Sequence, residues 1–121
     1  MNVHLLKETP QGAATGADAF SGDKNPEDVV FLSYLQNFIE RRFREMPEGS
    51  YTTKLFQEGI NKISQKVGEE AVETIIEATN GTRDRLIYEA SDLIYHLIVL
   101  LTYKGVRIED LVRELKTRHK E

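Results

Sequence analysis

Two acidic pairs, Glu70 with Glu73 in the run KVGEEAVETIIEA and Glu89 with Asp92 in YEASDLIYHLIVLL, stand where a helical chain ordinarily places aliphatic side chains. Each pair has i,i+3 spacing, so in a helix both members project from one face, a single turn apart. Like charges at that spacing repel, and carboxylates are rarely set among Leu, Ile, Val and Tyr unless something cationic compensates them. A purely structural purpose accounts poorly for them.

The start and stop signals around these runs describe an all-α chain. Asn25 is a good N-cap, Pro26 suits a first helical position, and Glu27 and Asp28 favour the positive end of a helix dipole. Helix one is predicted from Pro26 to Met46, ended by Pro47-Glu48-Gly49. A second helix follows from Tyr51 or Thr52 to Thr79 and a third from Thr82 to Lys104, with Gly81 and Gly105 where C-terminal glycines belong. A short fourth helix carries Ile108, Leu111, Val112 and Leu115 on one face. The expected architecture is an antiparallel bundle of about four helices over residues 26–121. Residues 1–25, with only Val3-His4-Leu5-Leu6 readable as a lone short strand, form an N-terminal appendage whose order is left open.

At 100° per residue, Lys62, Lys66, Glu69, Glu70, Glu73 and Glu77 fall in one stripe roughly 100° wide. Ile63 and Val67 flank it on one side and Val72 and Ile76 on the other, so this stripe faces inward and not toward solvent. On the third helix Arg85, Glu89, Asp92 and His96 share a narrow line, again bracketed by apolar residues. A short connection at Asn80-Gly81 makes the two helices antiparallel neighbours. Counting outward from that turn, Glu73 comes level with Glu89 and Glu70 with Asp92. Four carboxylates then meet across one groove.

A cluster of that kind repels itself unless a divalent cation relieves it. Magnesium suits a set of hard oxygen ligands and keeps sites free for phosphate oxygens; manganese and calcium share the oxygen chemistry, while zinc fits poorly without Cys or several His. Lys62 and Lys66 extend one stripe, Arg85 sits near the turn, and Gly49-Ser50-Tyr51-Thr52-Thr53 adds hydroxyls and free amides at a helix start. Cations bracketing an acidic metal site are what a polyphosphate needs. Phosphoryl chemistry is the coherent reading, with Lys62, Lys66, Ser50, Thr52 and Arg85 as candidate substrate contacts.

The pattern E-E-x-x-E, fifteen residues, E-x-x-D is similar to that of the all-α, MazG-like nucleoside triphosphate pyrophosphohydrolases. The wider text, GSYTTKLFQEGINKISQKVGEEAVETIIEA followed by EASDLIYHLIVLL, resembles the phosphoribosyl-ATP pyrophosphohydrolases of histidine biosynthesis over about residues 27 to 119. That resemblance implies magnesium-dependent cleavage of the α–β phosphoanhydride of phosphoribosyl-ATP by a homodimer. It matches Glu70, Glu73, Glu89 and Asp92 to the metal-binding, catalytic acids, with Glu69 beside them, and Lys62 and Lys66 to basic positions suited to the triphosphate. Residues 12–20, GAATGADAF, look like the tail of a phosphoribosyl-AMP cyclohydrolase with Ala13 and Ala14 where its Cys and His would stand, which implies no cyclohydrolase activity.

Composition removes other classes. Net charge is −4 with both signs interspersed, which argues against nucleic acid, and the absence of cysteine removes disulfides and thiolate chemistry. The longest apolar run, Leu93 to Leu101, is short and broken by His96, so the chain reads as soluble, cytoplasmic and without a membrane partner. That run, through Leu97, Ile98 and Leu101, also offers more apolar surface than one small bundle covers, which predicts a dimer through the third helix. His96 is expected to steady a carboxylate, and Tyr88 and Tyr95 to serve packing. Two other functions remain open: a house-cleaning hydrolase for surplus nucleoside triphosphates, and a helical dimerisation module without activity.

Overall fold

The computed structural model describes residues 24–119, so the N-terminal appendage as far as residue 23, with its tail-like segment at 12–20, lies outside the described residues. The described residues fall in two units, 24–30 and 31–119. In the first, Asn25 caps the coming helix: its Oδ1 accepts from the Glu27 amide at 3.0 Å. Five helices occur among the described residues: α1 (Glu27–Glu45), α2 (Tyr51–Glu58), α3 (Ile60–Asn80), α4 (Arg83–Tyr103) and α5 (Ile108–Arg118).

The single helix expected from residue 51 to 79 is two. Gly59 breaks it with φ 91° and ψ −171°, a backbone region that only glycine enters without strain. Its amide still closes α2 on Leu55 O at 3.0 Å, and its carbonyl already accepts from Ile63 at the start of α3. The periodicity of apolar residues runs through the break, which is why it does not show in a helical plot. One consequence is the site: α2 can turn away from α3 and lay its first turn against α4.

The core of the second unit is Ile39, Leu55, Phe56, Ile63, Ile98 and Val99, one or two residues from each of α1 to α4. Phe43 stacks on Phe56 with ring centroids 4.3 Å apart and lies 5.7 Å from Tyr103. The pair α3 and α4, joined by Gly81 and Thr82, shares the most extensive helix–helix interface among the described residues. Thr82 caps α4 by accepting from Arg85 N at 3.2 Å. Helix α4 is long and apolar enough to cross a membrane by composition alone, yet its Ile98 and Val99 are fully buried in this core.

Two polar devices fix α1 and α5. Gln36 is completely buried; its amide donates to Thr102 Oγ1 at 3.1 Å and Val106 O at 2.9 Å, and its oxygen accepts from Ile108 N at 2.6 Å. Arg107 meets Glu40 at 3.0 Å and Glu109 at 2.9 Å, while Ser33 donates to Glu109. The Arg107 and Ser33 hydrogen bonds hold the Glu109 carboxyl down at about 2, against an ordinary 4.5.

Two outcomes follow for stability. Gly59→Ala, which meets no clash but must adopt a glycine conformation, is expected to lower stability by about 1–3 kcal/mol in denaturant unfolding. Because the folded-state pKa of Glu109 is depressed, its contribution is present above the unfolded value and lost as pH falls from 4.5 toward about 2. The melting-temperature gap between wild type and Glu109→Gln should therefore be open at neutral pH and close across that window.

Candidate metal and phosphate site

Helices α3 and α4 bring Glu70, Glu73 and Glu89 together, each offering a carboxylate oxygen within 4.8 Å of the others. Glu70 and Glu89 are buried and Glu73 is exposed, so two acids floor the groove and the third rims it. Burial pushes the Glu70 carboxyl above the usual range, and Glu73 and Asp92 push it further against the opposing pull of Lys66. Burial likewise raises Glu89, with Glu73 adding to it and Arg85 opposing. Asp92, half-buried, stands outside the tight trio, although its charge acts on Glu70.

The donor set suits a hard divalent cation. Three carboxylates with neither thiolate nor imidazole among them would hold magnesium or manganese in preference to zinc. Glu70 Oε2 is buried with no hydrogen-bond partner among the described residues, a cost that an ion would remove.

The flanking residues divide. Lys66 Nζ lies 3.4 Å from Glu69 and 3.8 Å from Glu70; burial works against its charge, but Tyr51, Glu69 and Glu70 hold its pKa above the ordinary lysine value. Glu69 is exposed and bonded by Gln65 at 2.9 Å, which with Lys66 and Lys62 keeps its pKa low. It stands outside the trio. Lys62 is half-buried on the same helix. Arg85 bonds Glu89 at 2.8 Å and lies 4.8 Å over the Tyr88 ring.

At the head of α2, Ser50 Oγ accepts from Thr53 N at 3.2 Å as the N-cap. Thr52 is buried and its hydroxyl bonds Tyr95 OH, so both predicted substrate hydroxyls already have partners within the protein. A concave site of about 670 Å³ opens here, lined by Ser50, Tyr51, Thr53 and Lys54 among others. Sequence reasoning placed Tyr51 in this segment without making it a substrate contact, and gave Lys54 no place in it. Nor does His96 steady a carboxylate side chain: its Nδ1 bonds the main-chain oxygen of Asp92 at 2.8 Å, and its Nε2 meets Tyr51 OH at 2.8 Å. Its i+4 relation to Asp92 was the available signal. Tyr95 both packs against the core and ties α4 to α2.

Fold and site together define an all-α domain with a carboxylate groove fit for a cation and basic side chains at its edge. The chain belongs to the phosphoribosyl-ATP pyrophosphohydrolase family, whose sequence model matches residues 32–119. It is 66% identical over 117 residues to the histidine biosynthesis bifunctional protein HisIE of Bacteroides thetaiotaomicron, covering 95% of this chain and 58% of that protein. It is 50% identical to HisIE of Bacillus subtilis, over 97% of this chain and 59% of the relative. The HisIE protein of Caldanaerobacter subterraneus is 46% identical, over 84% and 50% respectively. The chain thus spans half to three-fifths of the length of these relatives.

If the trio is a self-repelling cage, Glu73→Gln removes one charge and keeps the shape. The metal-free protein should then melt at the same temperature or higher. A lower metal-free melting temperature would mark these acids as structural ion-pair partners instead.

Proposed function

We propose that this chain hydrolyses the α–β phosphoanhydride of phosphoribosyl-ATP, releasing phosphoribosyl-AMP and pyrophosphate, as a step of histidine biosynthesis. The observation that carries the reading is the buried, unpartnered oxygen of Glu70 inside a three-carboxylate cluster, in a chain of this family. Glu70, Glu73 and Glu89 would hold magnesium or manganese, with Asp92 and Glu69 alongside; once bound, the ion polarises the phosphate and lowers the pKa of a water.

The chain's own residues supply the rest. A carboxylate of the groove orients the attacking water and takes its proton. The water oxygen bonds to phosphorus as the bridging P–O bond breaks, and the pair of electrons leaves with pyrophosphate. Lys66, beside Glu70, and Lys62, one turn away, offset the charge growing on that leaving group. Arg85 keeps Glu89 in place, and Ser50 and Thr52 keep the head of α2 in place, so that together they frame the substrate.

We also place the protein in the cytoplasm and read it as a homodimer. The interface expected at Leu97, Ile98 and Leu101 moves: Ile98 is fully buried within the chain, and Leu97 and Leu101 are half-covered. Exposed apolar side chains stand instead at Val72, Ile75 and Ile76 on α3 and Ile87, Tyr88 and Ile94 on α4. A second copy covering them accounts for that face. The segment at 12–20 is read as resembling a cyclohydrolase tail, a view in keeping with the match of a protein named bifunctional over 95% of this chain.

The test is pyrophosphate release from phosphoribosyl-ATP compared with free nucleoside triphosphates, dUTP included. Turnover should favour phosphoribosyl-ATP, vanish in excess EDTA and return with magnesium. Full activity in EDTA, or preference for a free triphosphate, would overturn the assignment.

A further inference from the structure

The first turn of α2 is tied to α4 by two side-chain links that neither the cluster nor the core requires. Thr52 bonds Tyr95, and Tyr51 bonds His96. Thr52 and His96 are buried, whereas Tyr51 is 51% exposed, so half of its ring stays open where it lines the concave head of α2. Its ring meets the imidazole edge-on, 5.8 Å between centroids.

The hydrogen-bond directions are fixed by chemistry. A main-chain carbonyl only accepts, so His96 Nδ1 carries the proton it gives to Asp92 O. In the neutral ring Nε2 is then an acceptor, and the Tyr51 hydroxyl must donate to it. A continuous chain of bonds runs from the mouth of the concave site through Tyr51 and His96 to the backbone of Asp92. Burial holds the Tyr51 phenol above its usual pKa against the pull of Lys66, with Tyr95, Glu70 and Asp92 adding to the rise.

We propose that Tyr51 is a positioning residue for the hydrolysis described above: acting through His96, its hydroxyl holds the head of α2 in register with the α4 turn bearing Asp92. This sets where a substrate seated in the concave head of α2 lies against the carboxylates. The inference rests on the proposed activity, and a displacement of about 1 Å between anchor and reacting groups is enough to cost a large factor in rate.

Tyr51→Phe keeps the ring and loses the donor. It is expected to lower kcat on phosphoribosyl-ATP about tenfold or more, with KM within about threefold, since the anchor itself is intact. Its melting temperature should stay within about 2 °C of wild type. His96→Asn keeps a donor near the Nδ1 position and removes the Nε2 acceptor, so it should reproduce the Tyr51→Phe loss. The double variant should be no slower than the slower single one. His96→Gln, whose amide oxygen falls near the lost acceptor, should retain more of the rate than His96→Asn. Wild-type kcat in Tyr51→Phe, or losses that multiply in the double variant, would overturn the positioning role while leaving the activity standing. A wild-type protein that does not turn over phosphoribosyl-ATP would overturn both.

Discussion

Carboxylates forced together across two antiparallel helices are the constraint around which this protein is arranged. Glu70 and Glu89 lie in partly apolar surroundings and share a neighbour in Glu73, so each is penalised by burial first and by like charge second. Folding tolerates this because the α3–α4 interface and the core beneath it contribute more than the cluster costs. Lys66 and Arg85 relieve part of the repulsion, yet each is tied to a different acid and neither reaches the free oxygen of Glu70. What remains is a net negative groove with one carboxylate oxygen unpaired, the charge pattern that a compact cation would neutralise.

The remaining helices serve that arrangement without entering it. Helix α1 and the start of α5 are held by the buried Gln36 amide and by the Arg107 cluster, both saturated hydrogen-bond networks that specify one docking geometry. Helix α2 is the exception, since Gly59 frees it from the axis of α3 and its first turn is bonded to α4 near Asp92. The concave head of α2 is thereby brought within electrostatic reach of the acidic groove, since Lys66, Glu70 and Asp92 all act on Tyr51.

Much of this was legible in the residues because helical periodicity is a local property. The i,i+3 pairs and the short turn at Gly81 were enough to bring Glu70, Glu73 and Glu89 to one place, whereas the flank at Val72 and Ile76 is exposed and did not turn the whole stripe inward. The break at Gly59 was hidden because the apolar pattern continues across it and a single glycine is tolerated within many helices. Hydrogen-bond partners far apart in sequence were hidden for a different reason: Tyr51 with His96 and Gln36 with Thr102 depend on tertiary register, which spacing within one helix does not report. The apolar face followed the same rule, since whether Ile98 or Ile94 is covered depends on where neighbouring helices lie.

The most direct test of the cage is a calorimetric titration of the metal-free protein with magnesium, at mildly acidic pH, in two buffers of different ionisation enthalpy. Because the Glu70 and Glu89 carboxyls are raised by burial and by Glu73, a bound ion is expected to release protons from the groove as pH is lowered toward the carboxylate range. Saturable binding with a heat that differs between the buffers is the predicted result. Heats that do not saturate, or that are the same in both buffers, would contradict the account.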